Sequence, residues 1–322
     1  MTKKDLRIVF LGTPEFAVES LSRIVDEGYN VVGVVTMPDK VAGRGHKMIQ
    51  SAVKQYAVAH GLHLMQPEKL KDPAFVEELR SLNANLFVVI AFRMLPEVVW
   101  TMPELGTFNL HASLLPRYRG AAPINRAVMN GDSETGVTTF FLKQEIDTGD
   151  ILRQERIAIG PDEDAGSVHD RLMVLGADVT LDTIGHIVAG DLKPVPQDQL
   201  LQGEEPTPAP KIFKDTCRID WTRGAAEVHN HVRGLSPYPA AWTVLRAADG
   251  SETELQVFVT HRTDERTYEP AGTLLPDSRR MAVATADGFV LELAEVRAAG
   301  RKRMSGADFL RGARLAPGAC LV

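Results

Sequence analysis

Short apolar runs alternate with helical patterns over the first two thirds of the chain. Apolar runs bounded by polar or turn residues predict buried strands, here at 6–12, 31–36, 62–66, 85–92 and 106–112. Residues with helical spacing lie between them, at 14–28, 51–61 and 72–82. Apolar strands that alternate with helices are typical of a parallel sheet covered on both faces. The pattern therefore predicts an α/β fold with a doubly wound, mostly parallel, Rossmann-like sheet.

The pattern changes near residue 190. Two more strand-like segments, TGVTTFFL and DILRQERIAI, and a long helical pattern at 165–190 complete a first domain at 1–190. The segment 191–207 is rich in Pro, Gln and Glu, which indicates a linker. Beyond it, a helical pattern at 223–234 precedes short strand patterns at 240–246, 254–261, 271–275, 281–285 and 289–296. A helix with several short strands predicts a small β-barrel of the oligonucleotide-binding (OB) type at 208–322.

Composition fits folded domains in a reducing compartment. Of the 322 residues, 44% are hydrophobic and 24% are charged, and the two cysteines, Cys217 and Cys320, have neither disulfide-framework nor zinc spacing. We find no signal-peptide pattern and no stretch that approaches membrane-spanning length. We therefore expect a cytoplasmic protein with no membrane partner.

Charge is unevenly distributed along the chain. The net charge is -6; residues 1–207 carry 20 Lys and Arg against 28 Asp and Glu, and residues 208–322 carry 16 against 14. The overall acidity argues against general coating of nucleic acid. The second region is therefore the better candidate for contact with a polyanion.

The end of the first predicted strand lacks a nucleotide-binding signature. Dinucleotide binding needs G-x-G-x-x-G at this point, but Gly12 is followed by Thr13, Pro14 and Glu15. The sequence contains no Walker-type phosphate loop either. Ligands of open α/β sheets bind beyond the carboxyl ends of the strands, which directs attention to the stretch NLHASLLPRYRG at 109–120.

Asn109 and His111 in this stretch form a candidate catalytic pair. Residues two apart on a strand point to the same side. A carboxamide donates hydrogen bonds to developing negative charge, and a neutral imidazole accepts a proton, so the pair suits attack of an amine on a carbonyl. A histidine in this role usually has a carboxylate partner, and EIDTGDIL offers Asp147 and Asp150. The spacing does not choose between them, and roles in a turn or a strand end stay open.

These residues resemble a known family. FNLHASLLPRYRGAAPIN, followed by ETGVTTFFLKQEIDTGDIL, resembles the signature of formyltransferases that use 10-formyltetrahydrofolate. The resemblance implies an enzyme in which Asn109, His111 and Asp147 form the catalytic triad. It also implies 10-formyltetrahydrofolate as the formyl donor, with no metal.

The resemblance further assigns a folate site. Four consecutive residues match the loop of the family that contacts folate, namely Ser113, Leu114, Leu115 and Pro116. The stretch IAFRMLP at 90–96, with Phe92 and Leu95, is similar to the segment that lines the pterin pocket. Phe92 and Arg93 stand where the family often has Tyr-Gly, so at these two positions the resemblance implies the family's backbone contacts and not its side-chain contacts.

Outside the signature, PDKVAGRGHK (38–47) and APKIFKDTCRIDW (209–221) resemble the members of the family that formylate methionine carried on initiator tRNA, for translation initiation. The implied partners are methionyl initiator tRNA and a tetrahydrofolate derivative, bound by a monomer. The implied tRNA contacts are Arg44, Lys40 and Lys47 in the loop and Lys211, Arg301, Lys302 and Arg303 in the C-terminal domain. Taken singly, each of these cations is by default a solvated surface group.

Two other functions stay open. A formyltransferase for a small amine, such as an amino-sugar nucleotide, would share the triad and can carry a barrel, but it would not require the loop 38–47 with its glycines and Arg44. A non-catalytic folate or RNA binder would not need the triad. His229 and His231 lie on different faces of a predicted helix, so we predict no metal site.

Overall fold

The computed structural model describes residues 1–42, 47–201, 203, 205–277, 279–313, 315 and 317–322. Its strands are β1 Arg7–Gly12, β2 Asn30–Val35, β3 Lys40–Ala42, β4 Lys47–Ile49, β5 Leu64–Met65, β6 Leu86–Ile90, β7 Thr107–His111, β8 Arg119–Gly120, β9 Glu134–Phe141, β10 Ile151–Ala158, β11 Pro208–Ala209, β12 Ala241–Arg246, β13 Glu252–Arg266, β14 Ala282–Ala284, β15 Phe289–Ala298, β16 Met304–Ser305 and β17 Cys320–Leu321. Its α-helices are α1 Glu15–Asp26, α2 Ala52–Ala59, α3 Pro73–Ser81, α4 Glu97–Trp100, α5 Pro123–Met129, α6 Ala165–Ala189, α7 Asp198–Leu201, α8 Ala225–Leu235 and α9 Gly306–Ala313, with a 3-10 helix at Asp215–Cys217.

The chain divides into two compact units, each assembled from three stretches of sequence. Unit 1 comprises Met1–Gly120, Gly136–Ile157 and Asp170–Pro208. Unit 2 comprises Ala121–Thr135, Ala158–His169 and Ala209–Val322.

Unit 1 is built on a seven-stranded sheet of order β10-β9-β7-β6-β1-β2-β5. β1 pairs in parallel with β2 and β6, and the pairs β2–β5 and β6–β7 are also parallel, whereas β7 pairs antiparallel with β9. The winding reverses between β1 and β6, so the carboxyl ends of these two strands border the position where such sheets bind ligands, and β7 is the next strand beyond β6. The predicted doubly wound, mostly parallel sheet is confirmed.

Helices cover both faces of this sheet. On one face Leu11 of β1 and Val89 of β6 share a buried cluster with Leu79 of α3. On the other face α6 lies so close to β7 that a Cβ on Gly176 would approach the Leu110 side chain to 2.7 Å. The continuous apolar runs of the sequence follow from burial on both faces.

Helix α6 is long and apolar enough to cross a membrane by length and composition. The sequence-based expectation of no stretch of that length was therefore wrong. The helix also has features of a core helix, since Leu172 is fully buried. Asp178 and Asp182 form ion pairs with Arg23 at 2.8 Å and with Arg153 at 2.5 Å.

Unit 2 contains an antiparallel sheet of order β14-β15-β13-β12-β17, with β16 paired to β15. Single bridges join Thr273 to Cys320 of β17 and Leu274 to Val283 of β14, so the segment at 273–274 connects the two edge strands. Helix α8 contributes Val232, which is fully buried, to the interior cluster. The predicted small barrel of OB type is confirmed.

The details of the barrel differ from the sequence prediction. The strand predicted at 271–275 is wrong, because Thr273 and Leu274 form single bridges to two different edge strands and Gly272 has a left-handed φ of 84°. The strand predicted at 254–261 extends over Glu252–Arg266. The two-residue strands β16 and β17 are too short to produce a periodic pattern, and the prediction omitted them.

Two segments of unit 2 come from earlier in the sequence. Helix α5 packs on α8, where a Cβ on Gly234 would lie 2.4 Å from the Met129 side chain, and the Asn125 amide donates to the Gly234 carbonyl at 2.8 Å. The stretch Ala158–His169 joins the same unit through the hydrogen bond from Ile159 N–H to the Ser133 carbonyl at 2.8 Å.

The segment 191–207, predicted as a linker, runs along unit 1. Ile151 and Val195 exchange two backbone hydrogen bonds of 2.8 Å. Gln197, just before α7, is only 2% exposed.

Candidate active site

Strand β7 carries Asn109 and His111. Asn109 is paired with β6 on one side and with Phe140 of β9 on the other, and His111 is paired with Thr138 of β9. His111 is buried, whereas Asn109 is half-buried. Among the residues that the structure describes, none hydrogen-bonds the carboxamide of Asn109, which leaves that group available to a ligand.

The ring of His111 lies between two oxygen acceptors. Its Nε2 lies 2.8 Å from the carbonyl oxygen of Tyr118, and its Nδ1 lies 3.9 Å from Oδ2 of Asp147. A carbonyl only accepts, so Nε2 carries a proton. The separation from Asp147 is an ion-pair distance rather than a hydrogen bond, and only the doubly protonated ring presents N–H groups to both acceptors.

The structure brings Asp147, and not Asp150, to His111. The Asp147 side chain is 13% exposed, and its Oδ2 accepts a hydrogen bond of 2.9 Å from the Gly120 N–H. The carboxylate of Asp150 instead accepts from Lys143 Nζ at 2.8 Å. Of the two carboxylates that the spacing left open, Asp147 is therefore the one that lies beside His111, whereas Asp150 faces Lys143.

The turn that carries Asp147 needs a glycine at position 149. A Cβ on Gly149 would lie 1.5 Å from the carbonyl oxygen of Phe141, which no side chain can tolerate. Asp147 itself has a left-handed φ of 55°. The turn is therefore closely fitted to the end of β9.

Backbone strain concentrates around this site. In the described part of the chain, five non-glycine residues have positive φ, and three of them are Ala91 (47°), Tyr118 (63°) and Asp147 (55°). They lie in the loops that follow β6, β7 and β9. Each left-handed residue costs about 1–3 kcal/mol, and such strain clusters at functional sites.

The loop 113–116 is fixed by residues that sequence reasoning missed. Thr138 Oγ1 donates to the Ser113 carbonyl at 2.6 Å and accepts from the Leu115 N–H at 3.1 Å. Gln154 Nε2 donates to the Leu115 carbonyl at 2.9 Å. Ser113 is fully buried, and its hydroxyl donates to the Arg117 carbonyl at 2.7 Å. Thr138 and Gln154 lie on β9 and β10, and no motif distinguishes them from other polar strand residues.

The other residues of the predicted folate site are largely apolar and enclosed. Leu114 and Pro116 are buried in the same loop. In the segment 90–96, Leu95 belongs to the buried cluster that contains Leu79 and Val89, and the half-buried Phe92 packs against that cluster. The Arg93 guanidinium donates to the Glu68 carbonyl at 2.8 Å and to the Pro67 carbonyl, and burial lowers the pKa of Arg93. Arg93 therefore anchors this segment to the loop after β5.

The predicted tRNA contacts in the loop are only partly visible. Arg44 lies outside the described residues, as does the side chain of Lys47. Lys40 is exposed at the start of β3, which pairs antiparallel with β4.

The predicted tRNA contacts in unit 2 are all exposed. Arg301 and Lys302 lie on the turn after β15. Arg303 forms an ion pair with Glu295 and lies 4.4 Å from the centre of the Phe258 ring. The Lys211 ammonium lies 5.6 Å from the ring centre of Phe213.

Comparison with known proteins places the chain in a family. It matches the family described as Formyl transferase over residues 6–184 and that described as Formyl transferase, C-terminal domain, over residues 211–314. A curated methionyl-tRNA formyltransferase of Bacteroides thetaiotaomicron is 54% identical over 319 residues, covering 99% of each chain. One from Phocaeicola vulgatus is 58% identical over 317 residues, covering 98% of each chain.

The solved structures agree at the level of the fold. The N-formyltransferase from Helicobacter canadensis, in complex with folinic acid and dTDP-3-aminofucose, superposes with a TM-score of 0.66 at 18% identity, covering 89% of this chain and 98% of that one. At this identity the likeness extends to the fold alone. Sequence identity over nearly the whole length is therefore decisive, and the chain belongs to the formyl transferase family, in the group of the methionyl-tRNA formyltransferases.

Proposed function

We propose that the chain transfers the formyl group of 10-formyltetrahydrofolate to the α-amino group of methionyl initiator tRNA, for translation initiation in the cytoplasm. The observation that carries the proposal is identity of 54% and 58% to methionyl-tRNA formyltransferases over both units of the chain. The grouping of His111 and Asp147 beside an unengaged Asn109 supplies the chemistry that this reaction requires.

The reaction begins with attack of the neutral amine on the formyl carbon, which turns the carbonyl oxygen into an oxyanion. The carboxamide of Asn109 donates to that oxyanion, and one well-placed donor is worth about 3–4 kcal/mol. His111, in its protonated form, adds positive charge, and the carboxylate of Asp147 at 3.9 Å stabilises that charge. Burial of His111 strengthens both interactions because little water screens them.

The tetrahedral intermediate then collapses towards products. The bond between the formyl carbon and the folate N10 breaks, the amine nitrogen loses one proton, and N10 gains one. Asp147 orients His111 and is close enough to take part in moving that proton. Formyl-methionyl-tRNA and tetrahydrofolate leave the site.

Substrate binding is assigned to three surfaces. The apolar loop 113–116, together with Phe92 and Leu95, encloses the folate, because an enclosed apolar wall with fixed backbone groups suits a flat heterocycle. Arg44, flanked by Lys40 and Lys47, meets the acceptor end of the tRNA. The exposed cations of unit 2, namely Lys211, Arg301, Lys302 and Arg303, meet tRNA phosphates.

The deciding experiment offers labelled 10-formyltetrahydrofolate with methionyl initiator tRNA and, in parallel, with an amino-sugar nucleotide. We expect label on the tRNA alone, and its loss in an Asp147→Ala variant that remains folded. Label on the sugar alone would keep the catalytic assignment and reject the tRNA substrate. No transfer to either acceptor would reject formyl transfer as the activity.

A further inference from the structure

Gln197 lies next to the catalytic group and makes four hydrogen bonds with its side chain. Its Nε2 donates to the carbonyl oxygens of Asp147 at 2.9 Å and of Gly149 at 2.8 Å. Its Oε1 accepts from Nε and Nη2 of Arg119 at 3.0 and 2.8 Å. With an exposure of 2%, this amide is both buried and fully satisfied.

The orientation of the Gln197 amide follows from its partners. Arg119 has only donors, and backbone carbonyls have only acceptors, so the amide oxygen must face Arg119 and the nitrogen must face the turn. No other residue type of this length supplies two donors and an acceptor in that geometry. A carboxylate at this position would face two carbonyl oxygens to which it cannot donate. An apolar side chain would leave both carbonyl oxygens and both Arg119 nitrogens without these hydrogen bonds.

The four bonds close a ring of contacts around the carboxylate of Asp147. Gln197 holds the two carbonyls on either side of Thr148, at the turn where Asp147 takes its left-handed φ. Arg119, on the other side of Gln197, directly precedes Gly120, whose N–H donates to Oδ2 of Asp147 at 2.9 Å. Gln197 therefore ties the backbone of Asp147 to the same strand, β8, that binds its carboxylate.

We propose that Gln197 is a positioning residue for formyl transfer, which fixes Asp147 relative to His111. The inference rests on the proposed function, because it gives Gln197 a part in that reaction. The separation of 3.9 Å between His111 and Asp147 depends on the position of β7, which carries His111, and of the turn, which carries Asp147. Gln197 donates a hydrogen bond directly to the backbone of that turn. A small displacement of Asp147 weakens the stabilisation of charge on His111 without altering either substrate surface.

The test compares Gln197→Met with Gln199→Met. Methionine matches the length of glutamine and makes none of its hydrogen bonds, and Gln199 is exposed two residues along the chain. Since misplacement of a catalytic group by about 1 Å can cost about 100-fold in rate, we expect Gln197→Met to lower kcat by about 10- to 100-fold. The KM values for 10-formyltetrahydrofolate and for tRNA should change by less than about twofold. Gln199→Met should retain the parent kcat.

A double-mutant cycle separates positioning from a general structural role. In an Asp147→Ala background, Gln197→Met should change the single-turnover rate by less than about twofold, because the group that it positions is gone. If the two losses multiply instead, or if Gln197→Met alone retains kcat within about twofold, the inference is overturned.

A second variant covers the case in which Gln197→Met does not fold. Arg119→Met leaves Gln197 in place without its two acceptor bonds, and the same loss of kcat and the same non-additivity with Asp147→Ala are expected. Additive losses in this second cycle overturn the inference. A parent chain that transfers formyl to no acceptor signals failure of the proposed function instead.

Discussion

Asp147 and Asp150 lie three residues apart in one turn, and their environments differ. Asp147 faces His111 and accepts a backbone N–H from Gly120, whereas Asp150 pairs with Lys143 at the surface. A surface ion pair of this kind contributes about 0–1 kcal/mol, whereas the carboxylate partner of a catalytic histidine affects the rate itself. The two residues are therefore a matched pair for testing the catalytic assignment.

We expect Asp147→Asn to reduce kcat by about 100- to 10,000-fold, because the amide keeps the size of the side chain and loses the charge that stabilises protonated His111. Asp150→Asn should stay within about threefold of the parent, as expected for the loss of a surface pair. Steady-state formyl transfer at saturating substrates measures both values. Equal losses in the two variants would contradict the assignment of Asp147.

The loop 113–116 owes its shape to side chains on neighbouring strands. Thr138 bonds both the Ser113 carbonyl and the Leu115 N–H, and the adjacent Thr139 bonds Thr183 at 2.7 Å. Both threonines are fully buried. Since alternate residues of a strand face opposite sides, Thr138 supports the loop while Thr139 faces helix α6.

Thr138→Val should raise the KM for 10-formyltetrahydrofolate by about 10-fold, because an unsatisfied loop N–H and carbonyl cost about 1–3 kcal/mol and the loop relaxes to find other partners. Thr139→Val removes a hydrogen bond of similar length on the other face of the strand. It should therefore lower the melting temperature about as much as Thr138→Val does, and it should leave the KM for 10-formyltetrahydrofolate unchanged. Melting curves and folate titrations of the two variants check this. A KM that rises equally in both would show that the effect is not specific to the loop.

Most elements and the strand that carries the candidate catalytic pair could be predicted from the sequence, while the residues that support the site could not. The apolar runs predicted the strands of the parallel sheet because these strands are buried on both faces. The same pattern predicted that Asn109 and His111 lie at the end of a strand. Gln197 sits in a Pro- and Gln-rich segment, where composition indicates a linker and periodicity is silent. Its role depends on contacts with Arg119 and Asp147, 78 and 50 residues away, which no local pattern encodes.

At the scale of the whole molecule, the boundary between the two regions is less simple than composition suggests. The segments Ala121–Thr135 and Ala158–His169 belong to unit 2, although both precede the Pro-rich segment in sequence. The second of them supplies the carbonyl of Pro161, which lies 3.2 Å from Nε2 of His229 on α8. The interior of unit 2 therefore depends on chain that an independent C-terminal domain would lack.

His229 and His231 on α8 make the stability of unit 2 depend on pH. His229 is 2% exposed; its Nδ1 lies 2.8 Å from the Thr260 hydroxyl, so the neutral ring, with its proton on Nε2, has both nitrogens satisfied. Burial is the main cause that lowers the pKa of both His229 and His231. The Pro161 carbonyl and Asp162 oppose it weakly at His229. The backbone of Cys217 opposes it weakly at His231. Arg233 and Arg262 lower the pKa of His229 further.

An unfolded histidine takes up its proton near pH 6.5, whereas these folded histidines do so only at lower pH. Stability is therefore complete above pH 6.5 and is lost as the pH falls from 6.5 towards the folded pKa values. Aspartates of unit 2 whose pKa is lowered, such as Asp287, change the unfolding free energy only as the pH falls below their ordinary pKa of 3.8. The histidines therefore dominate the decline in stability between pH 6.5 and about pH 5. We expect urea unfolding of unit 2 at pH 5.5 to lose at most about 1.4 kcal/mol per histidine relative to pH 8. His229→Gln should remove about half of this pH-dependent decrease in unfolding free energy. The control His261→Gln, which changes an exposed ring on β13, should leave the decrease intact. An unfolding free energy of the parent that is equal at the two pH values would refute the prediction.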